Sequence, residues 1–297
     1  TVTAALRPRR SVLYMPGANE RALTKAESLP ADALILDLED AVAPDAKTEA
    51  RDRVCEAASS GRYGPREVTI RVNGPGTPWH DDDLRAAAAA GPAAVVVPKV
   101  DSVGTVQAVE KALEAGGAPD HTAIWAMIET PVAMLHAEEV AGASERLAVL
   151  VMGTNDLAKE LQAEHVPGRQ PLLAGLGLAL LAARAAGKVI LDGVYNDIKD
   201  AEGFEAECVQ GRQMGFDGKT LIHPSQLEPC NRVFAPTGDE VDRARRIIEA
   251  FEQAEAEGRG VVTVDGRMIE NLHVDQARRT LALAAAIEAL GGPHPSP

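Results

Sequence analysis

The chain has 297 residues, 45% of them hydrophobic, and a formal net charge of −14. That length and apolar content can bury a sizeable core, while the acidic balance argues against nucleic acid, whose phosphates demand a basic surface. No apolar run approaches the roughly 18 residues that span a bilayer, and the start lacks the apolar core of a signal peptide, so a soluble, cytoplasmic protein with no membrane partner is expected.

In chain order, apolar runs at 11–15, 33–38, 67–72, 94–98, 124–128, 147–152, 189–194 and 219–222 read as strands. Helical patterns lie between them at 20–28, 44–59, 79–90, 105–115, 131–141, 171–186 and 201–214. Eight strand–helix units match an α/β fold of the (β/α)8 TIM-barrel type, with a doubly wound open sheet as the alternative that periodicity leaves open. Thr237 and Glu240 form a capping box for a helix to about Glu257, read as the last barrel helix. Beyond it stand two β-prone runs around Asp265-Gly266 and a helix over 274–290 with Leu281, Leu283 and Ile287 on its apolar side. The terminal GGPHPSP is expected to be disordered. The predicted domains are thus a barrel over 1–257 and a segment over 258–297, too small to fold alone and suited to a lid or an oligomer contact. Cys55, Cys208 and Cys230 are far apart in sequence and lack C-x-x-C spacing, so they read as buried small side chains in a reducing compartment.

Ligands of such folds collect at the carboxyl ends of the strands, and several of these ends carry charged residues. After the first run, Pro16-Gly17 turns into a helix whose N-terminus can receive phosphate, and Arg9, Arg10, Arg21, Lys25, Lys47 and Arg51 suggest a local basic patch for an anionic small ligand. The second run ends in the acids Asp37, Glu39 and Asp40. At the end of the third, Arg71 offers a positive fork for an anion or a developing enolate oxygen, or else a salt bridge to those acids. Lys99, after the fourth, reads as an exposed surface lysine rather than a catalytic one. Glu129 and Asp156 follow the fifth and sixth runs. Neighbouring parallel strands lie about 5 Å apart, so the two carboxylates are expected side by side and neutralised by a hard divalent cation. Taken singly, Asp156 also reads as a helix cap, and Thr130-Pro131 as a helix start.

The stretches RRSVLYMPGANERALTKA, LILDLEDAVAPDAKTEAR, TIRVNG, VVVPK, MIETP, GTNDLAKEL and GKTLIHPSQLEPCNRVF occur in an order that resembles the citrate lyase beta subunit-like group of the HpcH/HpaI aldolase superfamily. The resemblance covers nearly the whole chain and implies a TIM barrel that uses Mg²⁺ to cleave, form or hydrolyse 3-hydroxyacyl-CoA thioesters. It is nearest to malyl-CoA, β-methylmalyl-CoA and citramalyl-CoA lyases. By that resemblance Glu129 and Asp156 bind the metal, Arg71 the acyl group, Tyr14, Arg21 and Lys25 the coenzyme A portion, and Ile222 and His223 line the substrate. His223, before Pro224, otherwise reads as a structural loop histidine. The C-terminal segment of the lyases carries a catalytic acid that reaches a neighbouring subunit. Its counterpart here is Glu270, where the family often has Asp, and a homotrimer or a dimer of trimers is implied.

The expected reaction is a retro-Claisen cleavage to a 2-oxo acid and an acyl-CoA, with Arg71 and the metal stabilising the enolate and Glu270 as general acid/base. Hydrolysis of (3S)-malyl-CoA by the same site is the alternative. A citrate lyase beta subunit acting on an acyl carrier protein thioester is a second, and a non-catalytic binding barrel the last.

Overall fold

Side chains alternate across a strand, so in a closed barrel every second residue faces the interior and its neighbours face the helices. The chain follows this rule in a computed structural model that describes residues 6–291. Its elements are β1 (Ser11–Pro16), α1 (Glu20–Lys25), β2 (Ala33–Asp37), α2 (Lys47–Ser59), β3 (Glu67–Arg71), α3 (His80–Ala90), β4 (Ala94–Val97) and α4 (Val103–Ala115). There follow β5 (Ala123–Ile128), α5 (Pro131–Leu135), α6 (Ala137–Ala141), β6 (Leu147–Met152), α7 (Thr154–Leu161), α8 (Leu173–Ala185), β7 (Val189–Asp192), α9 (Ala201–Met214), β8 (Gly218–Leu221) and α10 (Leu227–Phe234). All eight strands are parallel, and β8 pairs with β1 through Ser11–Lys219, Val12–Thr220 and Leu13–Leu221. That last pairing closes the barrel and removes the open-sheet alternative.

Two apolar layers result. Val12, Ile35, Val96, Trp125, Met127, Val149, Val151 and Leu191 fill the barrel, while Leu13, Leu34, Leu36, Ile70, Val95, Ile124 and Leu150 meet the helices outside. The same parity sends Tyr14, Asp37, Arg71 and Glu129 inward at the carboxyl ends of their strands. Lys219, on the outward parity of Leu221, is a buried charge that sequence reasoning did not foresee. Its side chain is fully buried with Asp192, and its ammonium lies 2.6 Å from Glu207 and 3.4 Å from Asp192. Arg169 completes the set at 2.6 Å from Asp192. Two cations against two anions make the network neutral, which is the condition for burying any of them.

The remaining described residues form a unit of their own. Helix α11 (Gly238–Ala256), the hairpin β9 (Val262–Val264) and β10 (Arg267–Ile269), and α12 (Asn271–Leu290) pack around Ala244, Ile247, Val264, Ile269, Val274 and Ala277. The hairpin turns at Asp265 and Gly266, both at positive φ (50° and 74°), as a two-residue turn matched to strand twist requires. The sequence put the boundary at 257/258; by contacts the chain parts between Phe234 and Ala235, and again between Pro8 and Arg9, with the described residues before Arg9 grouped with the C-terminal unit. The eighth strand has its own helix, α10, packed on β1, β8 and α9, so α11 is free to join the hairpin and α12. The expectation for the tail concerns residues 292–297, which lie outside the described residues. No described helix is long and apolar enough to cross a membrane.

Candidate active site

The expected carboxylate pair is present at the ends of β5 and β6. Ile128 is in register with Met152, which sets Glu129 opposite Gly153. Glu129 is 2% exposed and lies across Gly153, where an added Cβ would overlap its side chain, at 2.5 Å from Oε1. Glycine is needed here because the carboxylate occupies the space a side chain would take. From the first turn of α7, Asp156 reaches back to hydrogen-bond Glu129. Burial raises the Glu129 pKa to about 8, with the bond to Asp156 adding to it. Burial also acts on Asp156, but its bond to Glu129 and the Lys99 charge win and hold it below the ordinary value. The pair therefore shares a proton or takes up a cation.

An all-oxygen pair of this kind fits Mg²⁺, which is commonly held by one or two carboxylates and completes its octahedron with water and substrate oxygens. Among the described residues no group of three or more acidic, His or Cys side chains forms a cage. Glu129 and Asp156 are thus the residues that would hold the ion. The nearby cation is Lys99, whose Nζ lies 3.3 Å from Asp156 Oδ1 and whose backbone N–H donates to Glu129 Oε2 at 2.7 Å. A surface-lysine reading of Lys99 is therefore incomplete: its side chain is half-exposed, but its charge belongs to the site.

Across the barrel mouth, Arg71 is buried and bidentate to Asp37, at 2.7 Å from Nε and 2.6 Å from Nη2, with Nη1 3.8 Å from Glu39 Oε1. The salt-bridge alternative describes its partners, and the fork is occupied on one edge. Its guanidinium stands over the Tyr14 ring, 4.7 Å from the centroid. Asp37 also accepts the N–H groups of Glu39 and Ala41, so it orients the arginine and its own loop together. Burial pushes the Tyr14 phenol above its ordinary range, keeping it a neutral donor. Burial pushes Glu39 up to about 7, against the pull of Arg71, and its Oε2 is buried without a hydrogen-bond partner.

The supposed basic patch is not one. Arg9 pairs with Glu67 and Arg10 with Asp32 beside the amino end of β1, Arg51 pairs with Asp83, and Lys47 donates to the Leu38 and Glu39 carbonyls. Folding engages these charges: the three arginines meet acids remote in sequence, and Lys47 meets carbonyls of the loop eight and nine residues before it. Arg21 and Lys25 are exposed on consecutive turns of α1, which is only six residues long and capped by Asn19. Past β8, Ile222 is 40% exposed and its N–H donates to Gln226, while His223 Nδ1 accepts the Ser225 N–H, as a structural loop histidine does. Glu270 belongs to the C-terminal unit, exposed at the start of α12, its N–H donating to His273 Nδ1 at 2.9 Å. A cavity of about 500 Å³ follows β6 and β7, lined by Thr154, Arg169, Tyr195, Asn196, Asp197 and Glu207 among others, but not by the carboxylate pair.

Comparison with known proteins identifies the family. Residues 10–224 match the HpcH/HpaI aldolase/citrate lyase family, and residues 177–287 match a C-C bond lyase of the TIM-barrel fold. A (3S)-malyl-CoA thioesterase of Cereibacter sphaeroides is 54% identical over 96% of this chain and 97% of its own. The citrate lyase subunit beta of Escherichia coli is 40% identical over 94% of each chain. The crystal structure of CitE from Mycobacterium tuberculosis, in complex with magnesium, acetoacetate and coenzyme A, superposes with a TM-score of 0.76 at 27% identity, over 95% of this chain and 100% of that one. With relatives this similar along nearly its full length, the chain is an enzyme and belongs to the HpcH/HpaI aldolase/citrate lyase family.

Proposed function

We propose that the enzyme is a Mg²⁺-dependent (3S)-malyl-CoA thioesterase, working with a site of the CoA-ester lyase type. The observation that carries this reading is the 54% identity to the Cereibacter thioesterase over 96% of the chain, against 40% to the citrate lyase beta subunit. Glu129 and Asp156 would hold Mg²⁺, which supplies Lewis-acid stabilisation to the carboxylate and hydroxyl oxygens of the malyl group. Tyr14 and Arg71 stand in the same mouth, where a phenol O–H and the guanidinium edge not taken by Asp37 can stabilise negative charge on the thioester oxygen. Arg21 and Lys25 would meet the phosphates of coenzyme A. Glu270 would remove a proton from water as its oxygen attacks the thioester carbonyl. It would then return that proton to the departing sulfur, giving malate and free coenzyme A. In a homo-oligomer, a trimer by family resemblance, the C-terminal unit of one subunit would bring Glu270 to the barrel of another and shield the site from bulk water.

Cleavage of the carbon–carbon bond is the second reading, favoured by the match of residues 177–287 to the C-C bond lyases. The two are separated by incubating the protein with (3S)-malyl-CoA and Mg²⁺ and following free thiol, glyoxylate and acetyl-CoA in parallel. Thiol released with malate and without acetyl-CoA is the expected result. Stoichiometric glyoxylate and acetyl-CoA with no thiol would replace the hydrolase by the lyase.

A further inference from the structure

Lys99 touches both members of the carboxylate pair with different parts of itself. It has φ +52°, in the left-handed region that residues with a Cβ seldom enter. Strain of this kind persists where the surroundings over-determine it, and here two bonds do. The Lys99 N–H donates to Glu129 Oε2 at 2.7 Å, and the next N–H, that of Val100, donates to the Met127 carbonyl at 3.2 Å. With the backbone pinned to Glu129, the side chain runs to Asp156, its ammonium 3.3 Å from Oδ1. The acids facing that ammonium are Glu129, Asp156 and Glu39. Its side chain is 51% exposed, so no protein packing stands in the way of moving the head group off Asp156 while the backbone bond holds its root.

A lysine in this position acts on a divalent cation in two ways. It occupies an oxygen of Asp156 that such an ion would use, and it repels the ion electrostatically. A unit charge roughly 5 Å from a double charge weakens binding by about tenfold even in a water-like dielectric. If its purpose were only to tether the loop, the arrangement would be wasteful, since the backbone bond to Glu129 already does that. The exposure of the head group adds a direction: once displaced from Asp156, it points at whatever anion lies beside the bound ion.

We propose that Lys99 is an exchangeable counter-ion, which neutralises Asp156 before a divalent cation binds, yields that carboxylate to the ion, and then pairs with an anionic group of the substrate. The inference rests on reading Glu129 and Asp156 as the metal ligands, and it adds a substrate-positioning residue that the sequence reading had set aside as surface.

The test is the sign of a change in metal affinity. Mg²⁺ and Mn²⁺ are titrated calorimetrically into the full-length protein and its Lys99→Met and Lys99→Arg variants at pH 9, where both carboxylates compete little with protons. Lys99→Met should bind either ion about tenfold more tightly while raising KM for (3S)-malyl-CoA, and Lys99→Arg should restore both values to within a few-fold of the original. A structural tether predicts the opposite, since losing it would loosen Asp156, so unchanged or weaker binding in Lys99→Met overturns the proposal. Tighter binding with an unchanged KM overturns its substrate half. No binding by any of the three proteins overturns it together with the metal reading. The expected metal response without malyl-CoA hydrolysis sinks only the proposed reaction.

Discussion

Gly153→Ala tests the carboxylate pair without touching either carboxylate. The new methyl would sit 2.5 Å from Glu129 Oε1 and 3.1 Å from Cδ, and against Cβ as well. Relaxing those contacts to about 3.5 Å requires Glu129 to move by roughly 1 Å, because β5 and β6 are tied in register on either side. Overpacking of this sort costs about 1–3 kcal/mol, equivalent to a fall in Tm of roughly 2–12 °C at 2–4 °C per kcal/mol. A 1 Å misplacement of a group that orients substrate costs about 10²-fold in turnover. The variant should therefore remain folded, with a modest loss of Tm, a weakened response to Mg²⁺ and about a hundredfold loss of kcat. Calorimetric Mg²⁺ titration, a thermal melt and thiol release from malyl-CoA measure the three effects. Full activity together with a wild-type melt would mean that Glu129 need not lie across Gly153, and the geometry proposed for the metal would fall with it.

Four further outcomes are expected. Glu129 has its pKa raised to about 8 from an ordinary 4.5, so without metal its stabilising contribution is complete below pH 4.5 and is lost as pH rises through 8. Metal displaces that proton, so the rise in Tm caused by Mg²⁺ should be larger at pH 9 than at pH 6.5, and an equal rise at both would contradict the raised pKa. Asp37→Ala leaves the Arg71 guanidinium buried without its bidentate partner and should destabilise the fold by about 3–5 kcal/mol in denaturant unfolding; a loss below 1 kcal/mol would show that Arg71 finds another partner. Replacing Arg21 and Lys25 together by Ala should raise KM for malyl-CoA at low salt and leave KM for a pantetheine thioester unchanged. Inactive Glu270→Ala and inactive Asp156→Ala proteins, mixed under conditions that allow subunit exchange, should recover part of the activity; none despite demonstrated exchange would confine Glu270 to its own barrel or remove it from the chemistry.

What could be read from the sequence was the local part. Short apolar runs such as 124–128 and 147–152 announced strands, and their spacing by helical patterns announced a parallel barrel, because run length and crossover length are properties of short segments. Glu129 and Asp156 were paired from the sequence on the same footing, since each follows one of two neighbouring parallel strands about 5 Å apart. The Asp265-Gly266 hairpin was legible for a similar reason: both of its residues need positive φ.

Charge partnerships were not legible, since they depend on residues distant in sequence. Arg9, Arg10 and Arg51 looked like a patch for anions until Glu67, Asp32 and Asp83, from distant parts of the chain, took them up. Lys219 stands within the eighth run and is fully buried, because Asp192 and Glu207 neutralise it from β7 and α9. Helix α11 carried the right capping box but joined the hairpin and α12, since α10 had already filled the eighth position around the barrel. Lys99 shows the division most clearly. The sequence by itself determined that a lysine follows β4, whereas only the tertiary structure, by turning its backbone to φ +52° and bringing two strand ends beside it, decided that one part holds Glu129 and the other Asp156.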